Sequence, residues 1–148
     1  MIPIEASSLT KRFGELTAVD SLDLTIEEGE LFGFIGPNGA GKTTTLQMLC
    51  GQIPQTSGTA KVMGLDAAAD PISVKTAVGI VPELEYPPSF LTVEEYLNFA
   101  LAVRGMPENG NVDRWIEFFG LEDKRATMCM SLSKGQKKKT TLSAALLH

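Results

Sequence analysis

Gly36-Pro37-Asn38-Gly39-Ala40-Gly41-Lys42-Thr43-Thr44 gathers glycines, a lysine and two hydroxyls into one short stretch. The spacing is G-x-x-x-x-G-K-T, the arrangement of a phosphate-binding loop for a nucleoside triphosphate. Gly36, Gly39 and Gly41 let the backbone turn tightly and bring its N–H groups close to phosphate oxygens. Lys42 adds a full positive charge that reaches the β- and γ-phosphates, and the Thr43 hydroxyl can ligate the accompanying Mg²⁺. The bland alternative is a glycine-rich turn that matches by chance.

Two elements must position such a loop. Leu31-Phe32-Gly33-Phe34-Ile35, just ahead of it, is almost continuously apolar, which predicts a buried parallel strand. Thr43 to Cys50, just after it, predicts a short helix ended by Gly51. That helix would aim its unpaired N–H groups, the positive end of its dipole, at the phosphates.

The rest of the chain sets the frame. At 148 residues it is long enough for one domain with a real core, and 43% hydrophobic with 21% charged residues is ordinary for a globular protein. The net charge of −5 argues against nucleic acid as a partner. Cys50 and Cys129 provide no disulfide framework and are expected to be reduced core thiols. No apolar run approaches the roughly 18 to 20 residues that span a bilayer. No signal peptide is read at the N-terminus, so the expected compartment is the cytoplasm.

Along the chain, residues 2–6 predict a short strand, which Pro3 would place at an edge. Lys11-Arg12-Phe13-Gly14 predicts a turn carrying an exposed aromatic. Leu22, Leu24 and Ile26 alternate with Asp23 and Thr25, as in a half-buried antiparallel strand. Glu27-Glu28-Gly29-Glu30 is an acidic turn, residues 59–63 a further strand closed by Gly64, and Asp70-Pro71 a capped helix start. Val78-Gly79-Ile80-Val81 predicts a second buried core strand. Thr92 and Glu95 form a capping box ahead of a helix whose apolar face is Val93, Tyr96, Leu97, Ala100 and Leu101. Gly105 and Pro107 end it. Asn111 begins another helix, with Trp115, Ile116, Phe118 and Phe119 on a broad apolar side up to Gly120.

The second informative stretch is Leu132-Ser133-Lys134-Gly135-Gln136. Locally it is a capped helix start, with Ser133 at the cap and Gln136 three residues on. Lys134, Lys137, Lys138 and Lys139 crowd the first turns, where positive charge opposes the helix dipole. Two readings stand: a solvated basic face, or an anion docked at the helix start.

The phosphate loop followed by Leu-Ser-x-Gly-Gln resembles the nucleotide-binding domain of ATP-binding-cassette (ABC) proteins, over nearly the whole chain. Phe13, Ser57-Gly58, Val62-Met63-Gly64 and Leu91-Thr92-Val93-Glu94-Glu95-Tyr96-Leu97 agree with it. The resemblance implies an α/β fold: a P-loop NTPase core with an N-terminal antiparallel β portion and an inserted helical subdomain. Residues 1–83 would be the β-rich part and core, 84–130 the helical subdomain, and 131–148 the signature motif and its helix. It further implies that Phe13 stacks on the adenine ring, the alternative being a plain surface-turn aromatic. Gly36, Pro37, Asn38, Gly39, Ala40, Gly41, Lys42, Thr43 and Thr44 would hold the phosphates of ATP, with Lys42 the catalytic lysine and Thr43 on Mg²⁺. Glu83 falls where the family usually has a glutamine that touches Mg²⁺; a carboxylate can ligate the metal but adds negative charge, and the alternative is a solvated loop residue. Ser133, Lys134, Gly135 and Gln136 would contact ATP held by the opposite subunit. Lys134 replaces the usual glycine there, which either strengthens the anion contact or narrows the approach.

In the family the segment after this helix is an apolar strand ending in Asp-Glu, which supplies a Mg²⁺ ligand and the general base, and a sensor histidine follows later. None is present up to His148, so the resemblance reads the chain as an N-terminal fragment that would bind nucleotide weakly and hydrolyse it hardly at all. It would also expose sheet edges and apolar surface. The full protein is expected to be the ATPase subunit of a transporter. It would pair with a second nucleotide-binding domain, its own copy or a paralogue, and act through a separate transmembrane permease at the inner face of the cell membrane. The competing readings are a soluble ABC ATPase acting on nucleic acid or ribosomes, and an unrelated P-loop kinase or GTPase, which would leave the Ser133 stretch unexplained.

Overall fold

The alternation of Leu22, Leu24 and Ile26 is realised as a long antiparallel strand. A computed structural model describes residues 2–82 and 87–148, in two compact units, Met1–Val78 and Gly79–His148. In the first unit β1 (Ile4–Phe13) pairs with β2 (Leu16–Ile26) from Ile4 opposite Ile26 to Phe13 opposite Leu16. On its other side β1 pairs with β3 (Ser57–Val62), which turns through Met63-Gly64 into β4 (Leu65–Asp66); the sheet order is β2-β1-β3-β4.

Two expectations change here. The first strand is interior, and it runs to Phe13 instead of stopping at residue 6. Pro3 does not force an edge because it lies just outside the strand, where its missing N–H is not needed; its carbonyl accepts the Met63 N–H at 2.7 Å. The strand's length was hidden because its register shifts between Ala6 and Leu9, between Leu9 and Lys11, and between Lys11 and Arg12. Ser8 and Ser21 take positive φ at these irregularities, with the Ser8 N–H donating to the Asp23 carboxylate and the Ser21 N–H to the Thr10 hydroxyl. Bulges of this kind erase the two-residue alternation on which strand reading depends.

Helix α1 (Lys42–Leu49) follows the glycine loop and ends as expected at Gly51. The Gln52 N–H reaches the Gln47 carbonyl and the Gly51 N–H the Met48 carbonyl, the paired bonds of a Schellman cap. Helix α2 (Pro71–Ala77) is capped by Asp70, whose carboxylate accepts the Ser73 N–H. Met48, Leu49 and Val74 bury against Ala6, Leu9, Ala60 and Val62 of the sheet.

The two predicted core strands do not form. Residues 31–35 carry no ladder, and Leu31 and Ile35 are 99% and 98% exposed. Residues 78–81 likewise stay irregular, with Val78 serving as the C-cap of α2. An apolar run reports a tendency to be buried; a strand also needs a second segment to share a ladder with, and among the described residues neither run is part of one.

The second unit is helical. Helices α3 (Val93–Val103), α4 (Asn111–Phe118) and α5 (Lys134–Ala145) close on a core of Val93, Leu97, Leu101, Val112, Ile116, Leu121 and Leu147. Phe118 points out and is exposed, contrary to the broad apolar side expected of α4, while Trp115 and Phe119 are half-buried. The Arg125 guanidinium joins Glu94 on α3 to Asp113 on α4.

The Thr92 capping box is complete: the Glu95 N–H donates to the Thr92 hydroxyl, and the Thr92 N–H to the Glu95 carboxylate. Thr92→Ala is expected to destabilise the second unit by about 1 kcal/mol, measured by denaturant unfolding of the full-length protein. The Thr92 backbone N–H, and then its hydroxyl, hold the Glu95 carboxyl below its usual value. A depressed carboxylate adds stability above its unfolded pKa and loses it as pH falls through the folded value. The Glu95 share of the cap is therefore expected to fade below about pH 4.

Candidate functional site

Local backbone geometry builds the glycine loop. The Ala40 N–H turns back to the Pro37 carbonyl at 3.3 Å, and Gly39 and Gly41 adopt φ of 84° and 80°. Gly41 is the N-cap of α1, and no side chain caps that helix. Its first-turn N–H groups are thus left for an external acceptor. The Lys42 ammonium folds back onto the loop, donating to the carbonyls of Gly36 and Pro37 at 2.7 Å each. Thr43 is exposed and Thr44 half-buried, whereas Thr45 turns inward and donates to the Gly41 carbonyl at 3.0 Å.

Tertiary contact fixes where the loop stands. A Cβ on Gly41 would lie 2.3 Å from the Ala18 carbonyl oxygen and 3.1 Å from Val19 Cγ2, so the helix start is pressed against β2. Beside it a cavity of about 270 Å³ is lined by Lys42, Ala40, Val19, Asp20, Leu22 and Phe34, among others. The sequence reading missed Ala18, Val19 and Asp20, because a contact between β2 and a loop twenty residues on leaves no local pattern. Phe34, from the run expected to be a strand, lines this cavity instead.

Phe13 sits at the end of β1, half exposed, with the Lys11 ammonium 5.1 Å from its ring centroid. Glu83 lies outside the described residues. Ser133, Lys134, Gly135 and Gln136 begin α5 in the second unit, and the capping box is formed: Ser133 N–H to the Gln136 side-chain oxygen at 2.9 Å, Gln136 N–H to the Ser133 hydroxyl at 3.3 Å. Ser133, Lys134 and Gly135 are exposed.

Two of the four lysines in the cluster bond to backbone carbonyls, while Lys134 is exposed. Lys138 donates to the Pro82 carbonyl at 3.0 Å and Lys139 to the Phe119 carbonyl at 2.8 Å. These two ammonium groups tie α5 to neighbouring backbone. Burial raises the pKa of Cys50 and, chiefly through burial, that of Cys129, in keeping with unreactive thiols.

The loop fits a triphosphate. Its donors are backbone N–H groups at an uncapped helix start and one ammonium held by two exposed carbonyls, which a phosphate oxygen can replace with a stronger charge-assisted bond. Among the described residues no group of three or more His, Cys, Asp or Glu could hold a metal alone. Among the described residues the Thr43 hydroxyl could join a Mg²⁺ otherwise held by phosphate oxygens and water, the usual way this ion is held.

A family model described as ABC transporter matches residues 19–148. The chain is 37% identical over 148 residues to the probable multidrug ABC transporter ATP-binding protein YbhF of Escherichia coli, covering 98% of this chain and 26% of that protein. It is 32% identical to the bacitracin transport ATP-binding protein BcrA of Bacillus licheniformis, covering 98% of this chain and 47% of that one. The chain thus spans half or less of the length of these relatives. Among solved structures, the ATP-binding subunit of an ABC transporter superposes with a TM-score of 0.87 at 26% identity, covering 99% of this chain and 62% of that one. CbiO1 of Clostridium perfringens, described as part of a transporter complex, shares the fold at a TM-score of 0.85 and 22% identity, covering 99% and 61%.

Proposed function

We propose, from the premise that this chain belongs to the ABC transporter family, that it forms the nucleotide-gripping part of an ATP-hydrolysing transporter subunit. The observation that carries this is the loop at Gly36–Thr44: an uncapped helix start, two glycines at positive φ and a lysine that donates to two exposed carbonyls.

In this reading Lys42 exchanges those carbonyls for the β- and γ-phosphates, and the N–H groups of Gly39 to Thr44 surround the same oxygens. The Thr43 hydroxyl joins Mg²⁺, which neutralises charge on the phosphates when bound. Glu83 is a second candidate for the metal, and Phe13 offers its ring to adenine. Ser133, Lys134, Gly135 and Gln136 face the ATP of a second nucleotide-binding domain, either another copy or a paralogue. Residues 1–83 form the core portion, 84–130 the helical portion and 131–148 the signature portion. Pairing of two domains over ATP would drive a separate transmembrane permease, with this subunit at the cytoplasmic face. No helix among the described residues is long and apolar enough to cross a membrane. The names of the relatives and the net charge of −5 favour transport over work on nucleic acid or ribosomes.

The test uses the full-length protein. Titration with a fluorescent ATP analogue, with and without Mg²⁺, should show saturable binding that is tighter with the metal, and sedimentation should show dimers only when ATP is present. A protein that ignores ATP under both conditions would refute the reading.

A further inference from the structure

Lys11 occupies a position that the phosphate loop does not explain. Its ammonium donates to the Pro54 carbonyl at 2.6 Å and stands over one face of the Phe13 ring, 5.1 Å from the centroid. The same stretch is tied by backbone on both sides of Lys11: the Thr56 N–H donates to the Thr10 carbonyl at 2.8 Å, and the Arg12 N–H to the Thr56 hydroxyl at 3.0 Å. Residues 54–56 follow the C-terminal cap of α1, where the Ile53 N–H reaches the Gln47 carbonyl. Phosphate helix, Pro54, Lys11 and Phe13 therefore form one connected path.

The register places this path beside the glycine loop. Phe13 pairs with Leu16, and Leu16 is two residues from Ala18, whose carbonyl backs Gly41. Two residues of strand and one inter-strand step put the Phe13 backbone about 8 Å from that carbonyl. An aromatic at this distance from the loop is suited to meet the base of a nucleotide whose phosphates the loop holds. The ring is 51% exposed, and Lys11 covers one of its two faces.

We propose that Lys11 is a positioning residue for nucleotide binding: anchored on Pro54, it fixes the Phe13 ring and leaves one face open to a purine base. A cation on the covered face also draws π density from the open one, which lowers its repulsion with the π cloud of a stacked base. The inference rests on the reading that Gly36–Thr44 binds ATP, and it adds a residue outside that loop.

The test is equilibrium binding by the full-length protein, with ATP and inorganic tripolyphosphate as paired probes. Lys11→Met keeps the aliphatic stem and removes the charge. It should weaken ATP binding roughly two- to fivefold and leave tripolyphosphate unchanged, and Lys11→Arg should restore the loss. On a Phe13→Ala background Lys11→Met should add nothing. Equal weakening of tripolyphosphate, the same loss on the Phe13→Ala background, or no loss at all would overturn the role of Lys11. If the unsubstituted protein bound neither probe, the ATP reading itself would fall, and the role of Lys11 with it.

Discussion

Lys42→Ala in the full-length protein is expected to lower ATP hydrolysis by about 10²-fold or more while leaving the melting temperature nearly unchanged. The two effects separate because of where the ammonium sits. Among the described residues it donates to the Gly36 and Pro37 carbonyls, on residues that are both exposed, so water can replace it there at little cost. With a triphosphate present the same group would face several negative oxygens, and a hydrogen bond to a charged partner contributes about 1.5–3 kcal/mol. ATP affinity should therefore drop roughly ten- to a hundredfold. Lys42→Arg is expected to rescue only partly, because a planar fork cannot occupy the space of a compact ammonium inside a tight backbone turn. Hydrolysis and binding measured beside thermal unfolding would decide the matter: wild-type turnover in a well-folded Lys42→Ala protein would remove the loop from the chemistry.

What could be read from the sequence follows the range of the forces involved. The caps at Asp70, Thr92 and Ser133 depend on residues three apart, and all three form. The end of α1 at Gly51 and the acidic turn at Gly29 are equally local, the latter closed by the Glu30 N–H on the Glu27 carbonyl. The glycine loop was legible for the same reason, since its order of glycines and lysine dictates its own turn. The failures are not local. A ladder is a property of two segments, so 31–35 and 78–81 had the composition of core strands and yet, among the described residues, form no ladder. Bulges at Ser8 and Ser21 concealed most of β1. The destinations of Lys138 and Lys139 depend on which carbonyls the fold brings near, and the lysines of this stretch look alike without that knowledge. Ala18 is the clearest case, because its part is played entirely by a backbone carbonyl that any residue type would supply.

That carbonyl gives Gly41→Ala the largest expected effect on the site's architecture. Gly39 and Gly41 share nearly the same positive φ, 84° and 80°, so alanine at either position meets similar backbone strain, on the order of 1–3 kcal/mol. They differ in surroundings. A Cβ on Gly39 meets nothing within 4 Å, whereas on Gly41 it would lie 2.3 Å from the Ala18 carbonyl oxygen, in a strand that cannot swing aside as a flexible side chain would. Overpacking of that kind adds roughly 1–3 kcal/mol. Gly41→Ala is thus expected to unfold at markedly lower denaturant than Gly39→Ala. It is also expected to lose ATP binding, because relief of the clash requires the start of α1 to move off β2, carrying Lys42 and the first-turn N–H groups with it. Gly39→Ala should keep most of the stability and impair binding only through the shape of the loop. Unfolding curves and ATP titrations on the two full-length variants distinguish the cases. Equal losses would mean that strain alone sets the need for glycine; a larger loss at Gly41 would mean that β2 fixes the depth at which the phosphates are held.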